Sequence, residues 1–254
     1  MKWNVFPGDS RMKFLKNILT NEKIQNLNSN IPSIEILPIP VTRDGKYITD
    51  SKILLNDFFA NLPENSLVFC GKKDFIPNNI KINNKIYDYS DNELFLLKNA
   101  ELTAHGAIKI LYENLKNPIN KTKILITGFG RIGKNLAKIL INLENKVYIL
   151  GNKDQDFFWI KKIGAIPVYS LENINFCPNF VINTVPKIIF NKKNIKNFDK
   201  NTVFLELASK PGIDKNLCEN FKYILALGIP GKFFPEYAAE IIKQSIINVI
   251  KNII

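Results

Sequence analysis

Lys123-Ile124-Leu125-Ile126-Thr127-Gly128-Phe129-Gly130-Arg131-Ile132-Gly133 decides how the second half of the chain is read. An apolar run of strand length leads into G-x-G-x-x-G. A helical pattern follows, with Ile132, Leu136, Ile139, Leu140 and Leu143 recurring on one face at the α-helical period. In that setting each glycine has a task. Gly128 permits a tight turn, Gly130 lets the backbone approach a pyrophosphate, and Gly133 lets the helix lie close on the strand. The N–H groups of the helix start then face the anion, and Phe129, Arg131 and Ile132 complete the expected cofactor contact.

Outward from this turn, β-rich runs at 123–127, 146–150, 166–170, 180–185, 202–208 and 223–229 alternate with helix-like text. The fold class they predict is α/β, with a C-terminal doubly wound parallel Rossmann sheet. The first 90 residues read as a smaller α/β domain, with strands at 3–6, 35–39 and 66–70 and a helix over 12–19. Ser90 with Glu93 forms a capping-box pattern ahead of a helical stretch that resumes at Thr103 and runs to about Leu115. The last helix starts at Pro235-Glu236, directly after the sixth strand, and places Ile242, Ile246, Val249, Ile250 and Ile253 on one face. The expected organisation is an N-terminal, substrate-side domain over 1–98, a connecting helix over 99–120 and the Rossmann domain over 121–232. A terminal helix over 233–254 is expected to pack back across the junction, so that long helices join the domains.

A chain of 254 residues with 46% hydrophobic residues can bury a substantial core. The net charge of +12 comes almost wholly from lysine scattered through Asn-, Ile- and Lys-rich text such as 191–196. That pattern fits a solvated surface better than a nucleic-acid face, so no nucleic acid is expected as a partner. Cys70, Cys177 and Cys218 are odd in number and lack C-x-x-C spacing, which argues against a disulfide framework or a metal site. No stretch reaches a membrane span and the N-terminus has no apolar signal core, so a cytoplasmic location is expected.

Arginine is scarce: only Arg11, Arg43 and Arg131 occur, each in a loop after a strand-like run. A guanidinium offers carboxylate or phosphate a planar fork that lysine cannot imitate. At the end of the second Rossmann strand, Gly151-Asn152-Lys153 puts an amide and a cation where NAD-preferring domains place an acid. The expected cofactor is therefore NADP, with NAD as the alternative if Asp154 or Asp156 reaches the ribose. Asn183-Thr184-Val185-Pro186 and Ala208-Ser209-Lys210-Pro211-Gly212 follow strands four and five, at the carboxyl ends where open sheets bind ligands. His105, the single histidine, stands in the connecting helix, where it suits proton transfer at a domain cleft.

Five motifs taken in order resemble the family of dipicolinate synthase A subunits. They are Thr103-Ala104-His105-Gly106-Ala107-Ile108, the Gly128–Gly133 turn, Ile182-Asn183-Thr184-Val185-Pro186, Leu205-Glu206-Leu207-Ala208-Ser209-Lys210-Pro211-Gly212 and Leu227-Gly228-Ile229-Pro230-Gly231-Lys232. The similarity runs from about residue 100 to the end. It reaches more faintly to Gly8-Asp9-Ser10-Arg11 and Pro38-Ile39-Pro40-Val41-Thr42. What it implies is oxidation of a dihydrodipicolinate, branching from lysine biosynthesis, to pyridine-2,6-dicarboxylate during sporulation, by an oxidoreductase whose partner is a flavoprotein-like B subunit.

On this resemblance the small dicarboxylate substrate falls to Ser10, Arg11, Thr42, Arg43, Thr103, Ser209 and Gly231, and catalysis to His105, Glu206 and Lys210. Asn183, Thr184, Pro186 and Ala208 join the cofactor site with Asn152 and Lys153. His105 stands where the family commonly has Glu, Leu102 where it has Pro, and Glu236-Tyr237 where it tends to have Lys followed by Thr or Ser. Two other readings stay open: an NADP-dependent dehydrogenase of the shikimate or 2-hydroxy-acid type, and a non-catalytic dinucleotide-binding subunit. Self-association is also left open.

Overall fold

The computed structural model describes residues 2–20 and 31–253. The chain divides into two compact units, one built from Met1–Asn99 with Pro230–Ile254 and the other from Ala100–Ile229. In chain order the elements are β1 (Lys2–Val5), α1 (Ser10–Thr20), β2 (Ser33–Ile36), α2 (Leu55–Ala60), β3 (Leu67–Cys70), β4 (Lys85–Asp88) and α3 (Glu93–Asn114). There follow β5 (Ile124–Thr127), α4 (Arg131–Asn142), β6 (Val147–Leu150), α5 (Asp154–Lys162), β7 (Ile166–Val168), β8 (Phe180–Asn183) and β9 (Val203–Glu206). The last are α6 (Lys215–Cys218), β10 (Lys222–Leu225), α7 (Ile229–Phe233) and α8 (Pro235–Ile253).

The first unit is a four-stranded parallel sheet in the order β1-β2-β3-β4. Its central strands β2 and β3 are buried throughout: β3 is an apolar run, whereas β2 also buries Ser33, hydrogen-bonded to Ser66, and Glu35, which accepts from Asn4; the edge strands β1 and β4 are partly exposed. A cluster of Leu37, Val41, Ile48, Leu55, Phe58, Phe59, Val68, Cys70 and Ile76 forms one core of this unit. α1, with Met12, Leu15 and Leu19 buried, packs against α8, which buries Ala238, Ala239, Ile241, Ile242, Ile246 and Ile250. Each such isoleucine contributes about 1.5–3 kcal/mol. α8 is also pinned by polar contacts: the Ser245 hydroxyl donates to the Tyr89 carbonyl at 2.8 Å, and Lys98 Nζ to Gln244 Oε1 at 2.8 Å.

Three local expectations give way here. The helix cap is Asn92, whose side chain accepts from the N–H groups of Leu94 and Phe95. Ser90 lies in a 3₁₀ turn, Tyr89–Asp91, and hydrogen-bonds Asp88 through both its N–H and its hydroxyl. α3 then runs unbroken from Glu93 through Thr103 to Asn114 and carries the chain from the first unit into the second. The short helix α7 stands between β10 and α8, so the last helix does not follow the sixth strand directly.

The second unit is a six-stranded parallel sheet in the order β10-β9-β8-β5-β6-β7. Counted from β5 as the first strand, this is 3-2-1-4-5-6, the doubly wound Rossmann order, with its switch point between β5 and β8. The predicted fold class is therefore observed. β5 and β6 end where the apolar runs end, and β7 to β10 stop two or more residues earlier. β8 ends at Asn183 and β9 at Glu206, because each of those side chains accepts a backbone N–H two residues on and turns the chain out of the sheet. Among the described residues no helix is long and apolar enough to cross a membrane.

Candidate functional site

β5 is buried along its whole length and delivers Gly128 to the carboxyl edge of the sheet. Gly128 takes φ +94°, and its N–H donates to the Leu150 carbonyl at 3.0 Å. A Cβ here would stand 2.5 Å from Thr184 Oγ1 and 2.9 Å from Val185 Cγ2, so the loop after β8 forms a wall of the turn. At Gly133 a Cβ would run into the Gly128 carbonyl, which is the close helix–strand approach that glycine allows.

Gly130 differs from both. It is exposed, and a Cβ added to it meets nothing within 4 Å. It is the N-cap of α4, no side chain caps the helix, and the first turn holds no acidic residue. Donor N–H groups, the positive end of the helix dipole and open space over Gly130 together fit a pyrophosphate. Arg131, at the first helical position, is exposed, and Ile132 is half-buried. Phe129 is buried, with Lys134 Nζ 5.3 Å from its ring centroid.

At the end of β6, Asn152 and Lys153 present exposed side chains. Their backbone N–H groups donate to one carboxylate oxygen, Asp156 Oδ2, at 3.1 and 3.3 Å. Asp156 thus caps α5 from within, as the third residue of its first turn, while Asp154 lies exposed.

A polar row crosses the carboxyl edge. Register pairs Thr127 with Asn183 and Asn183 with Glu206. The Thr127 hydroxyl donates to Asn183 Oδ1 at 2.5 Å, and Asn183 Nδ2 donates to Glu206 Oε1 at 2.7 Å. The Thr184 hydroxyl donates back to the Thr127 carbonyl at 2.7 Å. Glu206, only 1% exposed, accepts in addition from the N–H groups of Ala208 (3.0 Å) and Gly212 (2.7 Å) and from the Tyr223 hydroxyl (3.4 Å). Burial pushes its carboxyl above the usual carboxylate range despite these hydrogen bonds, which pull the other way. Beyond the row, Pro186, Ser209 and Lys210 are exposed and Ala208 is buried.

In the first unit the expected substrate residues fall into two groups. Arg11 is buried at 8% exposure and forms an ion pair with Asp9, Nε and Nη2 both donating to that carboxylate. The Ser10 hydroxyl donates to the Gly231 carbonyl at 2.5 Å, and a Cβ at Gly231 would meet Asp9 Oδ2 at 2.8 Å. These residues close on one another. Thr42 is buried, its hydroxyl donating to Asp44 and accepting from the Gly45 N–H, whereas the Arg43 side chain is exposed and stands 3.6 Å from Asp50. On α3, Thr103 is buried and His105 is exposed in a row with Glu101 and Lys109. Sequence reading missed Asp9 as the partner of Arg11, and Thr127 and Tyr223 as members of the polar row. A threonine closing an otherwise aliphatic strand was the available signal for Thr127.

A glycine-rich βα turn at the switch point of a 3-2-1-4-5-6 parallel sheet, joined to a second parallel α/β unit, defines a two-unit Rossmann-type protein. No family model matches the chain. The A subunit of dipicolinate synthase from Bacillus subtilis (strain 168) is 24% identical to it over 223 residues, 82% of this chain and 74% of that protein. The resemblance read from the ordered motifs is thereby borne out. The crystal structure of dipicolinate synthase, A chain, from Bacillus subtilis superposes with a TM-score of 0.83 at 21% identity, covering 100% of this chain and 96% of that one. For the dipicolinate synthase A subunit from Bacillus halodurans the TM-score is 0.84 at 20% identity, with 98% and 97% covered. These two likenesses are of fold.

Proposed function

We propose that the chain is the dinucleotide-binding subunit of a dipicolinate-forming oxidoreductase, taking a dihydrodipicolinate to pyridine-2,6-dicarboxylate with NADP. The observation that carries this reading is the uncapped α4 N-terminus with open space over Gly130, in a chain whose sequence relative is a dipicolinate synthase A subunit. Aromatising the ring removes one hydride and one proton. A bound nicotinamide supplies the hydride acceptor. The chain's own residues hold the dinucleotide at Gly128–Gly133, with Asn152 and Lys153 at the ribose end and Thr184, Pro186 and Ala208 along the strand-end loops. Lys210, exposed on the loop after β9, is the cation assigned to a substrate carboxylate, because the Arg11 guanidinium is held by Asp9. The proton goes to an imidazole nitrogen of His105. A flavoprotein-like B subunit, a cytoplasmic setting and a role in sporulation belong to the same proposal.

The filled hydrogen-bonding of Glu206 favours a second reading, in which this chain holds the cofactor and its partner performs the chemistry. Coexpression with a flavoprotein of the B-subunit type, followed by assay for dipicolinate from lysine-pathway intermediates with NADP, tests both. His105→Gln should lower the maximal rate about 100-fold with unchanged NADP affinity. Turnover by the isolated chain would remove the second reading, and absence of dipicolinate from the complex would remove the first.

A further inference from the structure

Asn183 and Glu206 have no hydrogen-bonding capacity left. A carboxamide offers two N–H donors and two acceptor positions, and a carboxylate about four acceptor positions. Asn183 Oδ1 accepts from the Thr127 hydroxyl and the Val185 N–H (3.1 Å), and Nδ2 donates to the Val185 carbonyl (3.0 Å) and Glu206 Oε1. The two oxygens of Glu206 take Asn183, Ala208, Gly212 and Tyr223. With all four of its positions used, Glu206 has none left to hydrogen-bond a substrate, and the orientation of the Asn183 amide is fixed, since turning it over would set donors against donors.

We propose that Glu206 is a positioning residue of the nucleotide turn. By holding Asn183 on one side and the 208–212 loop on the other, it fixes the 183–186 loop that walls Gly128. This inference rests on the dinucleotide reading above. The mechanical link is short: Asn183 clasps Val185 through both its N–H and its carbonyl, and the methyl of Val185 and the hydroxyl of Thr184 are the atoms a Cβ on Gly128 would strike. The opposite loop is held as closely, because a Cβ on Gly212 would collide with the Asn183 amide.

The arrangement requires an ionised carboxylate. A proton on Glu206 places an O–H against backbone or amide donors, or against Tyr223, whose hydroxyl must then turn from donor to acceptor. Burial pushes the Glu206 carboxyl up, toward the neutral form, against the pull of these hydrogen bonds. The titratable groups that face Glu206 are Tyr223 on β10 and Cys218 on α6, with Asp214 and Glu219 beyond the thiol. Burial first, and the nearby negative charges second, push Tyr223 and Cys218 up, so both stay neutral between pH 5.5 and 8. Lowering the pH should therefore loosen the wall and weaken dinucleotide binding. Repulsion between the carboxylate and the ligand's phosphates acts in the other direction. It spans two strand spacings, roughly 10 Å, and at 0.15 M salt amounts to about a factor of two or three.

Calorimetric titration of the full chain with NADPH and with NADH between pH 5.5 and 8, alongside amide hydrogen exchange, tests the proposal. Glu206→Gln, which sets an NH₂ against two donors, should weaken binding about tenfold or more at pH 7.5 and flatten the loss of affinity that wild type shows in acid. Tyr223→Phe removes a hydrogen bond that favours the ionised form, so it should move that acid limb to higher pH. Affinity for Glu206→Gln within twofold of wild type, or wild-type affinity that rises as pH falls, overturns the proposal. If Glu206→Gln does not fold, an unmoved acid limb in Tyr223→Phe overturns it. A wild type that binds neither dinucleotide sinks the cofactor reading. Exchange then decides the positioning separately: faster exchange across 183–186 and 208–212 in Tyr223→Phe or Glu206→Gln supports it, and unchanged exchange overturns it.

Discussion

Each unit contains a first strand that runs into a glycine-bearing turn and then a helix: β1, Gly8 and α1 in one, β5, Gly128 and α4 in the other. In the first, Asp9 closes the helix start, its carboxylate accepting from the Arg11 N–H and from the Arg11 guanidinium. In the second, no side chain caps the helix, no acid stands in its first turn, and the space over Gly130 is open. The two turns share an architecture but differ in what satisfies the orphan N–H groups. A helix N-terminus that carries its own anion is a structural joint, and one that leaves the position open can take an anion from outside. The turn from β6 to α5 falls with the first kind, since Asp156 reaches back to the N–H groups of Asn152 and Lys153.

The largest effect expected from this contrast is at Gly130. Its φ of −80° is open to any residue and its surroundings are empty, so Gly130→Val should leave the fold and melting temperature intact. The branched side chain would fill the anion's place, and dinucleotide affinity should fall about 100-fold or more by calorimetry. The matching change at Gly8 should do the reverse. A Cβ there meets the Pro38 ring at 2.6 Å and Met12 at 3.0 Å, so Gly8→Val should destabilise the protein with no specific loss of affinity in the fraction that stays folded. Bound dinucleotide in Gly130→Val would move the cofactor elsewhere and dissolve the contrast.

Next in size is Asp9→Ala. It strands the buried guanidinium of Arg11 without its acceptor, at a cost of about 2 kcal/mol. For a chain of this length that is a fall of roughly 4–8 °C in melting temperature, readable by calorimetry. Dinucleotide affinity should not change. A variant as stable as wild type, with new affinity for inorganic phosphate, would show that the first turn differs from the second only by its built-in carboxylate.

How legible these differences were depends on the kind of information each needs. The strands of the second unit and its glycine turn could be read from local pattern, because strands of a sheet covered on both faces are apolar over most of their length and G-x-G-x-x-G constrains one continuous segment. β4 was missed: Lys85-Ile86-Tyr87-Asp88 is short, polar and at a sheet edge. The polar row lay equally out of reach. Thr127, Asn183, Glu206 and Tyr223 are separated by 56, 23 and 17 positions in the chain, and only the parallel register sets the first three side by side. For the same reason Glu206 could be recognised as important while its neighbours, and so its role, could not. Asp9 is the instructive case, since it stands only two positions before the arginine it neutralises: scarcity marked Arg11 as a fork for a carboxylate or phosphate, and the carboxylate it meets is its own neighbour's.

The smallest effect concerns Asp156, and it sharpens the comparison where the two kinds of turn come nearest each other. As a helix cap its carboxylate is satisfied by two backbone N–H groups, and Asp156→Ala should cost about 1 kcal/mol, a fall of roughly 2–4 °C. The same carboxylate stands beside Asn152 and Lys153, where the ribose end of a dinucleotide is proposed to lie. If capping is its only work, removing it leaves NAD affinity unchanged and raises NADP affinity a fewfold, because a negative charge near the 2′-phosphate is gone. If instead it accepts the ribose hydroxyls, NAD affinity should fall about tenfold, the scale of losing a hydrogen bond to a charged group. Paired titrations of wild type and Asp156→Ala with NAD and NADP separate the two. A selective loss of NAD binding would place Asp156 with the open turn rather than the closed one, and would end the preference for NADP.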